Sequence, residues 1–294
     1  MDKKSKIILI AGPTASGKSK FALGLAKKID GEIINADSMQ IYKEIKILTA
    51  RPSFSDLKKV KHHLYGFRTV KKNFSTGEWQ KLAIKKIYEI KKRKKIPIIV
   101  GGTGLYFKSL TDGLAKIPNI PIKFRDKIRM YQKKIGQIRF YRKLIKLDSL
   151  AASRINPNDT QRSLRAFEVK SYTKISLFKW FDRTTRKFNE NEFDKYYINF
   201  PREVLIKNIN KRIEKMFKNG AVKEVKRFLK LNVKTDKSSN NIIGIREISN
   251  YLKKKDSLDS IKSIIAIKTR QYAKRQTTWA RGHMSTWKKI DPKT

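Results

Sequence analysis

The most constraining stretch of the chain is a glycine-rich segment near its start. It follows a short apolar run over 7–10 and precedes residues 20–29, whose apolar positions recur at helical spacing. The pattern G-x-x-x-x-G-K-[ST], placed between a strand and a helix, is typical of a P-loop. The segment consists of Gly12, Pro13, Thr14, Ala15, Ser16, Gly17, Lys18 and Ser19.

Each part of this segment suits phosphate binding. Gly12 and Gly17 let the backbone turn tightly and direct its N–H groups inward, and the following helix N-terminus adds partial positive charge. Lys18 brings a full positive charge, and Ser19 offers a hydroxyl to Mg²⁺. A plain turn that joins strand to helix is the alternative, but motif and context agree. The segment therefore predicts that the chain binds a di- or triphosphate, without saying which one.

Charge and cysteine content narrow the class of protein. The 294 residues include 71 Lys and Arg against 25 Asp and Glu, a net charge of +46. This excess favours a polyanionic partner, with nucleic acid first, although compositional drift toward lysine accounts for part of it. The absence of cysteine excludes disulfides and thiolate metal sites. No apolar stretch approaches the ~20 residues of a membrane span, and no signal peptide is apparent, so we expect a cytoplasmic protein without a membrane partner.

The segment Glu32–Ala36 predicts a second strand, with Asp37 at its carboxyl end. In open α/β sheets, ligands bind beyond the carboxyl ends of the strands, so we expect Asp37 to face the ligand of the P-loop. Three roles remain open for it: a helix N-cap, a magnesium ligand through water, or a general base. The following residues to about 77 show little regularity, and we expect His62 and His63 to be surface or packing residues.

A second glycine-rich loop, Gly101–Gly104, follows a buried strand over 96–100. Such a loop allows the backbone to approach a ligand closely, and Thr103 within it can donate or accept a hydrogen bond. A plain turn is the alternative. The residues before the strand, 78–93, predict a helix with Trp79 in the core.

The chain changes character near residue 118. We predict an α/β protein in which a parallel, P-loop NTPase-like sheet is built from residues 1–117 and 196–294. Residues 118–195 show helical spacing without intervening strands, and we interpret them as an inserted all-helical subdomain. A strand over 196–200 returns to the sheet, and helices follow over about 209–219, 221–231, 245–255 and 258–281.

Two helical faces carry basic residues at helical spacing. Arg162 and Arg165 share a face, so both can reach a nucleic-acid phosphate; a solvated basic face is the alternative. The last helix combines Arg270, Lys274 and Arg281 with the aromatic residues Tyr272 and Trp279. This mixture suits a nucleic-acid contact or a phosphate-facing wall, while a solvated helix with both aromatic side chains in the core stays open.

Five segments together resemble the motifs of tRNA dimethylallyltransferases. They lie in the order that the family shows and span nearly the whole chain, so they are more specific than the P-loop alone. The segments are Gly12–Ser19, Asp37–Tyr42, Gly101–Tyr106, Asn158–Val169 and Thr269–Trp279. One departure is that Asn208–Ile209 stands where we expect an Arg–Ile pair.

The resemblance implies a reaction. The family transfers a dimethylallyl group from its diphosphate to N6 of an adenosine beside the tRNA anticodon, so the P-loop would hold a diphosphate leaving group. The adenine would leave its stack, as base-modifying enzymes require. Asp37 would accept a proton or hydrogen bond from N6, and Thr103 would help to hold the reacting groups. Mg²⁺ on Ser19, with Lys18, Arg270 and Arg275, would stabilise the diphosphate.

The resemblance also implies partners and contacts. It predicts tRNA and dimethylallyl diphosphate as substrates of a monomeric enzyme, with the helical insertion on the anticodon stem-loop. The expected tRNA contacts are Asp37, Ser38, Met39, Gln40, Thr103, Arg125, Gln161, Arg162, Ser163, Leu164 and Arg165.

Two other classes of protein share some of these features. A small-molecule or nucleoside kinase has the P-loop and an Asp after the second strand, but it does not need the basic insertion. A nucleic-acid-binding NTPase usually has an acidic residue at the end of a Walker-B strand, whereas the apolar strand here runs into Gly101 and Gly102.

Overall fold

The structure is a computed structural model that describes residues 6–291. The chain divides into two compact units: one holds the residues up to Thr111 and those from Phe188 onward, and the other holds Asp112–Lys187. We placed the insertion at 118–195. The difference at its end arises because Phe188 and Phe193 are buried in the core of the sheet unit, and apolar spacing alone does not show which core they join.

The sheet unit contains a six-stranded, fully parallel sheet. Its order is β3-β2-β4-β1-β5-β6, and this confirms the predicted α/β class. The central strands are buried along their whole length. This explains the continuous apolar runs of the first and fourth strands, whereas the second strand carries the buried polar residues Glu32 and Asn35. The strands are β1 (Ile7–Ala11), β2 (Gly31–Asn35), β3 (His62–His63), β4 (Ile96–Gly101), β5 (Phe193–Ile198) and β6 (Lys288–Ile290).

Among the described residues, eight α-helices belong to the sheet unit. In α3, Ser75 and Glu78 form a capping box, and Trp79 is fully buried on the face that packs on the sheet. The helices predicted after residue 200 are all present. The helices of this unit are α1 (Lys18–Lys28), α2 (Phe54–Lys59), α3 (Thr76–Lys92), α4 (Gly104–Thr111), α9 (Arg202–Lys218), α10 (Ala221–Leu229), α11 (Ile245–Leu252) and α12 (Leu258–His283).

The other unit is helical throughout its regular structure. Its helices are α5 (Ile122–Ile135), α6 (Gln137–Leu147), α7 (Thr160–Thr173) and α8 (Leu177–Asp182). Phe140 and Leu144 of α6 are fully buried, whereas the basic residues Arg139, Arg142 and Lys143 of the same helix are exposed. This is the amphipathic pattern of a helix with one face on a core.

Two short elements occupy the segment that we expected to be irregular. A capping box between Ser53 and Asp56 starts α2, and β3 pairs with β2 at the edge of the sheet. His63 is buried, with Nε2 2.6 Å from Oε2 of Glu32, and Arg93 donates to the same carboxylate at 2.7 Å. His63 is thus a packing residue beside the ion pair of Glu32 and Arg93.

Three strands end at one edge of the sheet. Ala11 at the end of β1 lies beside Gly101 at the end of β4, and Asn35 at the end of β2 lies beside Val100. A Cβ at Gly101 would clash with the backbone carbonyl of Ala36, so glycine is needed for this close approach. The P-loop, the turn at Asp37 and the second glycine-rich loop all leave from this edge.

Candidate active site

The P-loop joins β1 to α1 in a tightly turned conformation. Gly17 has a φ of 77° and Ala15 a φ of 64°, so the loop includes a left-handed position even at a residue with a side chain. A Cβ at Gly12 would lie 2.9 Å from Oγ of Ser16. Because α1 begins at Lys18, its N-terminus and the exposed Ser19 lie at the loop, where a phosphate is favoured.

Lys18 is a perturbed cation. Its Nζ donates a hydrogen bond to the carbonyl of Pro13 at 3.2 Å. Burial lowers the pKa of Lys18 to about 8; the charge of Asp37 opposes this shift and the charge of Arg212 adds to it. The ammonium is therefore still mostly protonated at neutral pH, and an anion bound beside it would stabilise the charge.

Arg212 is a site residue that the sequence analysis missed. It lies on α9, and its Nη1 donates to Oγ1 of Thr14 in the P-loop at 2.7 Å. Asn208, one turn earlier, donates to the carbonyl of Ala15 at 3.3 Å. An Arg–Ile pair, Arg212–Ile213, stands one helical turn after Asn208–Ile209.

Asp37 forms a turn at the end of β2. Its Oδ1 accepts a hydrogen bond from the backbone N–H of Met39 at 2.9 Å, and its own N–H donates to Oδ1 of Asn35 at 2.9 Å. No helix begins in the described residues that directly follow, so a helix N-cap role is wrong. A general base or a water-mediated magnesium ligand remains.

Thr103 ties the second glycine-rich loop to this turn. Its Oγ1 accepts a hydrogen bond from the backbone N–H of Ser38 at 3.0 Å, and its own N–H donates to the carbonyl of Ala36 at 3.1 Å. The loop therefore does more than reverse the chain, because it holds the residues after β2 at the sheet edge.

Gln276 on α12 connects the two glycine-rich loops. Its Oε1 accepts from the N–H of Thr14 at 2.9 Å, and its Nε2 donates to the carbonyl of Gly102 at 2.9 Å. A side chain at Gly104 would clash with the indole of Trp279. The helix thus packs directly on both loops, a role that the basic and aromatic spacing of α12 did not reveal.

Two cavities adjoin at this edge and share Tyr272 and Arg275 as lining residues. The first, about 210 Å³, includes Gly12, Thr103 and Gln276. The second, about 220 Å³, is lined by Thr14, Asp37 and Arg212 together with apolar side chains of α9 and α12. Burial, with the charge of Asp37, raises the pKa of Tyr272 far above its ordinary value, so its hydroxyl stays protonated.

The two arginines that we predicted at the diphosphate differ in placement. Arg275 is exposed and lines both cavities. Arg270 is half-buried and does not line either cavity. The structure therefore brings Arg212 and Arg275 to the cavities at the P-loop edge of the sheet unit, and the role of Arg270 stays a prediction.

The predicted tRNA contacts form two groups. Asp37, Ser38, Met39 and Thr103 line the cavities, and the amide of Gln40 donates to the carbonyls of Thr49 and Ala50. In the helical unit, Gln161 and Arg162 are exposed, Arg125 and Arg165 are partly exposed, and Ser163 and Leu164 are buried. The last two side chains therefore pack inside their unit.

Metal ligands are sparse in the part of the chain that the structure describes. It holds no group of three or more His, Cys, Asp and Glu arranged to bind a metal. Mg²⁺ usually binds through one or two protein ligands, water and substrate phosphates, and Ser19 and Asp37 fit that mode.

Over residues 6–291, none of the helices combines the length and apolar character that crossing a membrane requires.

Comparisons with known proteins agree on one family. A family model described as IPP transferase matches residues 40–283. A tRNA dimethylallyltransferase of Pelagibacter ubique is 59% identical over 292 residues, which cover 99% of this chain and 93% of that protein.

Two solved structures resemble this chain along nearly its whole length. The first is a tRNA isopentenylpyrophosphate transferase of Bacillus halodurans, with a TM-score of 0.70 and 31% identity over 98% of this chain and 90% of that one. The second is a eukaryotic dimethylallyltransferase acting on tRNA, with a TM-score of 0.83 and 26% identity over 97% of this chain and 73% of that one.

Proposed function

The chain belongs to the IPP transferase family, and from this premise we propose that it transfers a dimethylallyl group from dimethylallyl diphosphate to N6 of an adenosine beside the tRNA anticodon. The observation that carries the proposal is the second cavity. A carboxylate, Asp37, and a cation, Arg212, line the same apolar space beside Thr14 of the P-loop. This combination suits a proton acceptor and a diphosphate on either side of a hydrocarbon group.

The reaction is a substitution at carbon. The N6 nitrogen forms a bond to C1 of the dimethylallyl group while the bond from C1 to the diphosphate oxygen breaks. The electron pair of that bond leaves with the diphosphate, and the proton of N6 passes to Asp37. The P-loop therefore stabilises a leaving group, and no phosphoryl group is transferred.

The residues around the diphosphate stabilise its developing charge. Lys18 and Arg212 supply two cations, and the N–H groups at the start of α1 supply oriented dipoles. Bound Mg²⁺, held by Ser19, would neutralise further charge on the diphosphate. Gln276 and Thr103 hold the two glycine-rich loops, so these donors are in place before the substrate binds.

The helical unit supplies the tRNA contacts in this proposal. Arg125, Gln161, Arg162 and Arg165 all keep some exposed surface, and arginine binds phosphate through paired N–H groups.

The monomeric state and cytoplasmic location that we expected belong to the proposal as well.

The test is mass analysis of tRNA nucleosides after incubation with the protein, Mg²⁺ and dimethylallyl diphosphate. We expect one adenosine to gain a dimethylallyl group, and a Lys18→Ala variant to lose most of this activity. A parallel assay offers ATP with small phosphate acceptors. Phosphate transfer from ATP without any prenylated adenosine would overturn the proposal in favour of a kinase.

A further inference from the structure

A buried carboxylate lies where two helices of the helical unit meet. Glu168 is on α7, and only 3% of its side chain is exposed. Nε of Arg125 on α5 donates to its Oε2 at 3.1 Å. Nε of Arg129 lies 3.9 Å from Oε1, and Nη1 of Arg165 lies 3.7 Å from Oε2. Three cations thus surround one anion.

This cluster holds more positive charge than its carboxylate needs. A buried carboxylate costs free energy unless it is paired, but one guanidinium neutralises its charge. Three guanidinium groups at these separations repel one another. The positive charge that Glu168 does not neutralise is therefore unfavourable on its own and becomes favourable when an outside anion binds.

The three arginines remain open to a ligand. The exposed fractions of their side chains are 36% for Arg125, 44% for Arg129 and 41% for Arg165. Each guanidinium carries five N–H donors, and two carboxylate oxygens cannot engage them all. One further acid is near: Oδ1 of Asp126 lies 3.5 Å from Nη1 of Arg129, and it is more than half exposed.

The two helices give the cluster its geometry. Arg125 and Arg129 are one turn apart on α5, and Arg165 lies one turn before Glu168 on α7. Ile128 of α5 and Leu164 of α7 pack together in one small apolar cluster, which fixes how the helices approach. The shared carboxylate then draws three long, flexible side chains to one place.

We propose that Arg125, Arg129 and Arg165 form one binding site for a backbone phosphate of RNA, and that Glu168 is the positioning residue that assembles it. The inference rests on the proposed function, because it takes tRNA as the ligand of the helical unit. It adds Arg129, which no motif of the sequence marks, and it gives an acidic residue a favourable role in binding a polyanion.

The first test compares Arg129→Gln with Arg139→Gln. Both variants lose one positive charge from the helical unit, and Arg139 is an exposed residue of α6 outside the cluster. tRNA affinity is measured as a function of salt concentration with the full chain. We expect the log–log salt slope to become shallower by about one unit in Arg129→Gln and to change little in Arg139→Gln. Equal slopes in the two variants would overturn the phosphate site.

The second test asks whether removing the negative charge of Glu168 strengthens or weakens tRNA binding. Glu168→Gln removes a negative charge, so simple electrostatics predicts tighter tRNA binding. The positioning role predicts the reverse: weaker binding with a salt slope at least as shallow as that of Arg129→Gln, because the arginines are no longer held together. Glu168→Asp keeps the charge and should recover part of the loss. Tighter or unchanged binding in Glu168→Gln would show that the carboxylate serves packing alone.

Two further measurements separate the possible failures. Thermal unfolding of each variant gives its transition temperature, and tRNA binding is measured well below it so that unfolded protein does not contribute. If Glu168→Gln fails to fold, the comparison of Arg129→Gln with Arg139→Gln still tests the phosphate site. Dimethylallyl diphosphate affinity should be the same in all variants, since the P-loop is in the other unit. Wild-type protein that binds the diphosphate but no tRNA would overturn the proposed function and this inference together, whereas wild-type binding with unaltered variants would overturn this inference alone.

Discussion

The side chain of Gln276 accepts a hydrogen bond from the backbone N–H of Thr14 at 2.9 Å across 262 residues of sequence. Its amide group also donates to Gly102 at 2.9 Å. One side chain near the end of the chain therefore links the P-loop to the second glycine-rich loop. This side chain is uncharged, so its role is to hold the loops and not to attract a phosphate.

This link predicts that Gln276→Ala weakens diphosphate binding. Each hydrogen bond contributes about 0.5–1.5 kcal/mol, so losing both should lower the affinity by about tenfold or more. Titration with dimethylallyl diphosphate measures the effect. Gln271→Ala, at an exposed position on the same helix, is the matched control and should bind like the wild type. The same affinity in both variants would contradict the linking role.

Asp37→Asn should keep tRNA binding and lose prenyl transfer. Asparagine retains an acceptor for the N–H of Met39, so the turn survives, but it cannot take a proton. We expect single-turnover transfer to fall by roughly 10²–10⁴-fold, the usual contribution of a general base. Near wild-type turnover in the variant would exclude this role for Asp37.

Diphosphate affinity should decrease as the pH rises through about 8. The pKa of Lys18 is lowered to about 8, and only the protonated form attracts the diphosphate. The Lys18 contribution is thus fully present well below pH 8, and the affinity falls by up to about tenfold per pH unit above it. Binding titrations from neutral to alkaline pH test this.

Lys18→Arg serves as the control for that pH dependence, because a guanidinium stays charged throughout the range. Its affinity should be nearly flat with pH, whatever its absolute value. A parallel decline in wild type and variant would assign the titration to another group.

Gly101→Ala should destabilise the protein. The added methyl would clash with the carbonyl of Ala36 at the packed sheet edge, and overpacking of this kind costs about 1–3 kcal/mol in the free energy of unfolding. The control is Gly24→Ala on α1, where a Cβ meets nothing within 4 Å and helix propensity predicts a gain of about 0.5–1 kcal/mol. Denaturant unfolding of both variants should give shifts of opposite sign.

The sheet and its loops could be predicted because their signals are local. A strand in the middle of a parallel sheet favours a continuous apolar run, and a phosphate loop needs glycines and a lysine at fixed spacing. Residues 7–19 and 96–104 carry these patterns, so their structure could be predicted from the sequence. The short strand at His62–His63 could not be predicted in the same way, since an ion-pair cluster with Glu32 and Arg93 replaces the apolar pattern.

The missed site residues depend on tertiary contacts. Arg212 reaches Thr14 across 198 residues, and nothing in its helix distinguishes it from other basic residues until α9 is placed beside the P-loop. Glu168 looks like an ordinary acid that follows two arginines on its helix, and only the packing of α5 on α7 shows that it is buried. Side chains that act by contacts between distant elements give no periodic signal.

Because the strands of the sheet are all parallel, their amino ends lie at the edge opposite the site, and a probe can be attached there. Lys92, at the end of α3, is exposed, and a short turn joins it to the amino end of β4, whereas the loops of the site leave from the carboxyl ends. Because the chain contains no cysteine, Lys92→Cys would create a single thiol. A fluorophore attached there could follow the binding of either substrate without entering the cavities.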